Sequence, residues 1–173
     1  MITTSEEGNM KRLVLYYSLS GNTKSVAIEI AKKLHADILE IETAKEYPDD
    51  YDVLLGLGKR EVESGYQPQL NPFRIDFSKY DKIVIGSPVW WNSFAPAIKT
   101  LLFHIKDAIK GKSVYPFATH GGTPGRIGGD FKRALKNAGE IGELLTVKFS
   151  EKEQITPNIA IFDWVKGITW KDN

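Results

Sequence analysis

The sequence predicts an α/β fold: a three-layer, doubly wound, five-stranded parallel sheet with strand order 2-1-3-4-5. The alternation of elements along the chain leads to this fold class. Short strand-like runs alternate along the chain with segments whose apolar residues have helical spacing, and such alternation implies a parallel sheet with helices on both faces. In this arrangement ligands bind at the carboxyl ends of the strands. The loops after the first, third and fourth strands are therefore the places to look for a site.

The first predicted strand, residues 11–17, is a short apolar run without alternation, as in a strand buried on both faces. The second has some alternation, which suits the edge of the sheet. The third runs directly into an unusual loop. The second to fifth predicted strands are residues 36–41, 81–87, 112–118 and 144–149.

Helices are predicted between the strands. In the first, residues 23–35, Val26, Ile30 and Leu34 have helical spacing, and lysines near the end suit the helix dipole. Gly65 ends the second, and a Pro-containing loop follows at residues 67–73. The second to fifth helices are predicted at residues 49–64, at 95–108 with Pro96 in the first turn, at 127–138, and at 157–166 with Ile161, Trp164 and Val165 buried.

Composition excludes several classes of function. The net charge is only +1, which argues against a nucleic-acid partner because such partners need a basic face. The chain has no cysteine, so disulfides, thiolate catalysis, cysteine-ligated iron–sulfur clusters and zinc–thiolate sites are excluded. Its three histidines lack ligand spacing, and no metal site is expected.

The length of 173 residues fits one domain. We expect residues 1–9 to be a flexible N-terminal extension and residues 10–173 to form the single domain. No apolar stretch approaches the roughly 20 residues that cross a bilayer. The start lacks the layout of a secretory signal. A cytoplasmic location without membrane contact is the resulting expectation.

The loop after the first strand has the composition of a phosphate site. A phosphate at a helix N-terminus meets unpaired N–H groups and the positive end of the helix dipole. Hydroxyl groups add donors, and a glycine permits a tight turn. The spacing excludes a P-loop and a dinucleotide-binding motif, and the alternative is ordinary helix capping by Ser20 or Thr23. The predicted site residues here are Ser18, Leu19, Ser20, Gly21, Asn22 and Thr23.

The motif Ser18-x-Ser20-Gly21-Asn22-Thr23 after a strand resembles the phosphate loop of the flavodoxin family, whose pattern is [ST]-x-[ST]-G-x-T. The alternation of elements supports the resemblance from residue 11 to about residue 149. The resemblance implies a flavin cofactor, and a phosphate loop without an adenosine motif specifies FMN.

The loop after the third strand contains two adjacent tryptophans. A flavin ring needs a flat apolar surface, which an aromatic side chain provides. The alternative is packing under a helix or at a subunit interface. The motif Pro88-x-Trp90-Trp91 is similar to a branch of flavodoxin-like proteins in which this loop contacts the isoalloxazine, although many members have Gly in place of Asn92. The resemblance makes Pro88, Val89, Trp90, Trp91 and Asn92 cofactor-site candidates.

The loop after the fourth strand is rich in glycine, which lets a backbone approach a ring. His120 is a donor for the N1–C2 edge of a reduced flavin. The alternative is a plain turn with a solvated histidine. The same branch carries Thr-His-x-Gly here, so Thr119, His120, Gly121 and Gly122 complete the candidate cofactor site.

Other polar and aromatic residues have simpler interpretations. His35 and His104 are read as surface or capping residues on helices, and Trp164 and Trp170 as packing of the tail. Arg126 is either a solvated side chain or a cation for the flavin or for a nucleotide phosphate.

The resemblance implies an oxidoreductase that uses NAD(P)H as reductant and passes electrons to a quinone or similar acceptor. The alternatives are a flavodoxin-type electron carrier without substrate turnover and a related domain that binds FMN weakly or not at all. Carriers of the family tend to be strongly acidic, and the near-neutral charge weakens that alternative. No catalytic residue is assigned because the chemistry resides in the flavin. A homodimer, common among reductase relatives, is compatible with tryptophans exposed near the site.

Overall fold

The computed structural model describes residues 11–169. Its five main strands form a parallel sheet in the order β2-β1-β3-β5-β7, which confirms the predicted order 2-1-3-4-5. The edge position predicted for the second strand is also correct. These strands are β1 (Lys11–Tyr16), β2 (Asp37–Glu40), β3 (Tyr80–Trp90), β5 (Ser113–His120) and β7 (Leu145–Ser150).

Three short strands extend this sheet. β4 (Ser93–Phe94) pairs antiparallel with β3, and β8 (Glu153–Gln154) pairs antiparallel with β7. β6 (Glu140–Ile141) pairs parallel with β5. Two-residue strands are too short to show periodicity, and none of the three was predicted from the sequence.

Five helices lie along the chain at the predicted places, with different ends. β3 continues three residues past the predicted end because its last residues pair with β4. The third and fourth helices are shorter than predicted, since the chain turns before residues 108 and 138. The helices are α1 (Asn22–Leu34), α2 (Tyr51–Ser64), α3 (Pro96–Ile105), α4 (Ile127–Ala134) and α5 (Asn158–Thr169).

The core consists of two apolar clusters, one on each face of the sheet. Ile83 and Ile85 of β3 pack in the cluster that contains α3 and α4. Val84, between them, packs in the cluster that contains α1 and α5. A central strand buried on both faces has no need of polar positions, which explains its uninterrupted apolar sequence.

Helix α2 lies at the periphery, and Gly58 is its single buried residue. The carboxylate of Asp50 accepts a hydrogen bond from the N–H of Val53 at 3.0 Å and caps the helix. Gly65 ends it with a φ of 70°, as predicted. Tyr51 and Val53 are largely exposed. The helix is therefore held by its caps and by a narrow contact with the sheet.

Within residues 11–169, every helix is too short or too polar to cross a membrane. The predicted extension at residues 1–9 and the tail residue Trp170 lie outside the described residues. Trp164 donates from its indole nitrogen to the carbonyl of Glu143 at 2.8 Å, which agrees with a packing role.

Candidate functional site

The three predicted loops open at one edge of the sheet. Tyr16 of β1 is in register with Gly86 of β3, and Pro88 of β3 is in register with Thr119 of β5. Because the strands are parallel, their carboxyl ends lie at the same edge of the sheet. The loops after β1, β3 and β5 are consequently neighbours, as the predicted strand order requires.

The loop after β1 ends on Gly21, whose φ of 98° lies in the left-handed region that glycine favours. Gly21 is the N-cap of α1, and no side chain of the cap residue bonds to the helix. Instead, the Ser18 hydroxyl oxygen accepts from the N–H groups of Gly21 and Lys24, at 3.1 and 3.2 Å. The alternative of capping by Ser20 or Thr23 is thus not what the structure contains.

Two donors remain at the start of α1. The N–H groups of Asn22 and Thr23 precede the first intrahelical bond, which runs from Ser25 to the carbonyl of Gly21 at 3.0 Å. Within the described part of the chain they find no acceptor. Leu19 and Ser20 are exposed at the tip of the loop. An anion bound here would meet free N–H groups at the positive end of the helix.

The turn between β7 and β8 covers the same loop. The Asn22 side-chain amide donates to the carbonyl of Glu151 at 2.7 Å, and the Lys152 ammonium donates to the carbonyl of Ser20. Lys152 is not recognisable as a site residue from the sequence, because it lies 132 residues beyond Ser20. A lysine and the predicted phosphate loop are therefore adjacent.

Thr23 and Thr119 connect the first loop with the end of β5. Both side chains are buried, and their hydroxyl oxygens are 2.7 Å apart. This contact brings together two of the predicted site residues. It uses the hydroxyl of Thr23 for an internal bond, whereas its N–H remains available.

The loop after β3 is a two-residue β-hairpin turn. Val89 pairs with Phe94 and Trp90 pairs with Ser93, so Trp91 and Asn92 form the turn. Their φ angles are 48° and 68°, as in the type I′ turn that matches the twist of the strands. Asn tolerates this conformation, so Asn92 can occupy the position at which many related sequences have Gly. A tryptophan rarely adopts it, and such a residue costs about 1–3 kcal/mol.

The two tryptophans have different surroundings. Trp90 is half-buried, with its ring edge-on to Tyr17 and Tyr47 at centroid distances of 6.0 and 5.0 Å. Trp91 is 41% exposed, and the ammonium of Lys59 lies 5.4 Å from its ring centroid. The packing alternative describes Trp90 well, whereas Trp91 presents an exposed ring with Lys59 over it.

Two tyrosines beneath the hairpin are held neutral. Burial, together with the Glu61 and Glu40 carboxylates, raises the pKa of Tyr17 far above its ordinary value. Burial also raises the pKa of Tyr47, whose hydroxyl donates to Glu61 at 2.6 Å. Both hydroxyls therefore stay protonated near neutral pH.

The loop after β5 begins at the half-buried His120. Its Nδ1–H donates to the carbonyl of Gly122 at 2.9 Å, since a carbonyl only accepts. In the neutral ring Nε2 is then an acceptor, and donation from Nε2 requires the imidazolium form. Gly121 and Gly122 are exposed, with open space around the α-carbon of Gly122.

Close packing and hydrogen bonds join the loop after β3 to the segment that follows β5. Gly125 has a φ of 60°, and a Cβ atom there would lie 2.5 Å from the Cβ of Asn92. The N–H of Arg126 donates to the carbonyl of Asn92 at 2.8 Å. The Ser93 hydroxyl donates to Asp130 at 2.5 Å. The hairpin turn is therefore held by the segment that follows β5.

Within residues 11–169, no group of three or more histidine, aspartate or glutamate side chains has the arrangement of a metal site. The site consists instead of free N–H groups, hydroxyls, one lysine, an exposed indole and an open glycine turn. These groups suit an organic ligand with a phosphate at one end and a flat ring at the other.

Comparison with known proteins identifies a matching family. The model of a protein family described as Flavodoxin matches residues 11–157. No curated protein matches the sequence significantly.

Three solved structures are similar to this chain. A flavoprotein from Lactobacillus acidophilus NCFM in complex with FMN has 28% identity and a TM-score of 0.70, over 79% of this chain and 93% of its own. A candidate flavoprotein from Bacteroides eggerthii DSM 20697 has 25% identity and a TM-score of 0.77, over 93% and 99%. The two-electron reduced flavodoxin of Megasphaera elsdenii, at 16% identity, a TM-score of 0.56 and coverage of 90% and 96%, shares the fold.

Proposed function

We propose that this chain, which belongs to the flavodoxin family, binds FMN at the three loops and acts as an NAD(P)H-dependent oxidoreductase. The electron acceptor would be a quinone or a similar compound. The observation that carries the proposal is the pair of free N–H groups on Asn22 and Thr23, beside Lys152 and at the same sheet edge as Trp91. The FMN complex of the Lactobacillus acidophilus flavoprotein, at 28% identity, supports the choice of cofactor.

At the phosphate end, the chain offers both hydrogen bonds and charge. Asn22 and Thr23 would donate their N–H groups to phosphate oxygens, and the exposed Ser20 hydroxyl adds a third donor. Lys152 would exchange its bond to the carbonyl of Ser20 for a bond to the phosphate. A charge-assisted bond of this kind is about twice as strong as a neutral one.

At the ring end, the exposed indole of Trp91 would stack on the isoalloxazine. The open turn at Gly121 and Gly122 would let backbone groups reach the polar edge of the ring. Bound FMN supplies the hydride or single-electron transfer. The side chains hold and orient it.

We prefer the oxidoreductase to the electron carrier because the net charge of the chain is close to zero. A net charge of +1 gives no acidic field for docking on a basic redox partner.

The first test is the visible spectrum of the purified protein, followed by titration with FMN. Oxidation of NADH and NADPH by the FMN-loaded protein is then measured with a soluble benzoquinone as acceptor. We expect bound FMN and turnover that depends on it. Failure of the protein to bind FMN would contradict the whole proposal. A protein that binds FMN but accepts electrons only from a flavodoxin reductase would be an electron carrier.

The proposal includes a homodimer in the cytoplasm. Trp91 of the hairpin turn and Tyr51 and Val53 of α2 are exposed, which supports a subunit contact. Light scattering coupled to size-exclusion chromatography would give the mass of two chains, and a monomer at micromolar concentration contradicts this part. Fractionation of cells tests the location.

A further inference from the structure

A cleft of about 470 Å³ lies outside the three loops, between the end of α2, α3 and α4. Its lining includes Ser93 and Phe94 of β4, Lys99 and Phe103 of α3, and Arg126 before α4. A volume of this size is in the range of small-ligand sites, about 300–1,000 Å³. None of the predicted cofactor residues lines it.

The charged lining of the cleft is mainly basic. Its two acidic side chains, Glu61 and Asp130, are already engaged. Glu61 accepts from Tyr47, and Asp130 is paired with Arg126 and Arg133. The five basic side chains are Lys99, Lys106, Arg126, Arg133 and Lys136.

Three lysines of the cleft lack a carboxylate partner among residues 11–169: Lys99, Lys106 and Lys136. The ammonium of Lys106 lies 4.5 Å from the centroid of the Phe103 ring instead. Like charges facing one concave surface raise the local potential and attract anions. The cleft therefore suits a ligand that carries more than one negative charge.

The uncharged lining is aromatic. Phe103 and Tyr66 are 54% and 52% exposed, so both rings present apolar surface to the cleft. Phe94 adds a third ring, packed against Phe131 at a centroid distance of 5.2 Å. Flat rings beside ammonium and guanidinium groups match a nucleotide, which has a planar base and phosphates.

The cleft begins where the predicted ring site ends. Ser93 and Phe94 line it and directly follow the turn residues Trp91 and Asn92. Arg126 lines it with its side chain while its N–H bonds to the carbonyl of Asn92 at 2.8 Å. A dinucleotide held in the cleft by one end would have its other end beside the Trp91 turn.

We infer that this cleft binds the phosphorylated adenosine part of NAD(P)H. The inference rests on the proposed function and names where the reductant is held. The volume of the cleft, about 470 Å³, favours a small molecule over an acidic redox protein. Lys99 and Lys136 are assigned to the phosphates, and the exposed rings of Tyr66 and Phe103 to the base.

The test uses ADP and 2′,5′-ADP as probes, titrated by calorimetry into the FMN-loaded protein. The variant Lys99→Gln/Lys136→Gln removes two charges from the cleft. The matched control Lys32→Gln/Lys132→Gln removes two exposed charges elsewhere, on α1 and α4. We expect the probe Kd to rise about tenfold in the cleft variant and less than twofold in the control. The KM for NAD(P)H should rise in parallel, with the FMN Kd unchanged.

Several results would overturn the inference. One is the absence of probe binding in a protein that still oxidises NAD(P)H, which leaves the proposed function intact. Another is equal probe affinity in the cleft and control variants. A third is binding of an acidic redox protein at the cleft without any nucleotide binding, which would assign the cleft to a protein partner.

Probe binding that depends on Lys99 and Lys136 but comes without NAD(P)H oxidation supports the nucleotide site and contradicts the proposed oxidoreductase.

Discussion

The hydroxyl oxygens of Thr23 and Thr119 lie 2.7 Å apart, although 96 residues separate them in the chain. The bond joins the first turn of α1 to the end of β5, and both side chains are buried. Two of the three predicted cofactor loops are thus fixed relative to each other by one contact between side chains.

The variant Thr119→Val tests this bond. It keeps the shape of the side chain but leaves the buried Thr23 hydroxyl without its partner, which costs about 1–3 kcal/mol. We expect a lower free energy of unfolding of the apoprotein in urea and weaker FMN binding. Thr146→Val, on the half-buried side of β7, is the control and should change stability by less than about 0.5 kcal/mol. Equal effects of the two variants would contradict a special role for the bond.

Lys152→Gln should weaken FMN binding about three- to tenfold, because it removes the cation next to the phosphate loop. The affinity of the variant should also depend less on salt, since one charge contact has been lost. Fluorescence titration with FMN at low and high KCl measures both effects. Lys148→Gln changes an exposed lysine of the same strand hairpin and should leave the affinity unchanged.

Trp91→Asn should change apoprotein stability and cofactor affinity in opposite directions. Asn accommodates the φ of 48° at this turn position, so we expect a higher free energy of unfolding of the apoprotein. Loss of the exposed ring should reduce FMN affinity. Trp90→Phe provides the contrast: it disturbs the contacts with Tyr17 and Tyr47 and should lower stability. A Trp91→Asn protein with unchanged FMN affinity would remove Trp91 from the proposed site.

The sequence was sufficient to predict the main sheet and the position of the three loops. Central strands such as β3 carry continuous apolar residues because both faces are covered, and this pattern is visible without coordinates. The ends of α3 and α4 were not predictable, since propensity does not determine where tertiary contacts turn the chain. The Trp91–Asn92 turn was not predicted either. The residue pair Trp-Asn is not typical of a β-hairpin turn, and neither is the spacing of the residues around it.

Gly125→Ala and Gly56→Ala should have opposite effects on stability. At Gly125 the φ of 60° and the approach to Asn92 leave no room for a methyl group, so we expect destabilisation and a disturbed hairpin turn. At Gly56, within α2, nothing lies within 4 Å of the added Cβ, and alanine should stabilise by about 0.5–1 kcal/mol. Urea unfolding of both variants measures the difference. A neutral Gly125→Ala would show that the two loops are not tightly coupled.

Tyr80 predicts a dependence of stability on alkaline pH. Its hydroxyl donates to Asp37 at 2.6 Å, and this bond, with burial, raises the pKa of Tyr80 from 10.0 to about 12. The folded state then holds the proton more tightly, so the stabilisation is complete below pH 10.0 and is lost as the pH rises to about 12.

The corresponding variant is Tyr80→Phe, which lacks the hydroxyl. The difference in free energy of unfolding between wild type and variant should be largest at pH 9 and should shrink as the pH approaches about 12. Urea unfolding at several pH values gives this difference. A difference that stays constant with pH would mean that the bond to Asp37 is absent in solution.

The part of the site that sequence reasoning missed depends on long-range contacts. Lys152 carries no local motif, and its relevance comes from the β7–β8 turn that brings it to Ser20. The basic cleft is likewise assembled from α2, α3 and α4, and single lysines on exposed helical positions look like solvated charges in the sequence. Only Arg126 had been considered as a ligand for a nucleotide phosphate.

The cover that the β7–β8 turn places over the phosphate loop also bears on the order of events during synthesis. The loop around Ser20 leaves the ribosome early, whereas Lys152 and Glu151 follow about 130 residues later. A nascent chain that has reached Thr119 already holds two of the cofactor loops but not the cation and carbonyl that complete the first. In the proposed FMN site, the phosphate loop would therefore be complete only after the last strands have been translated.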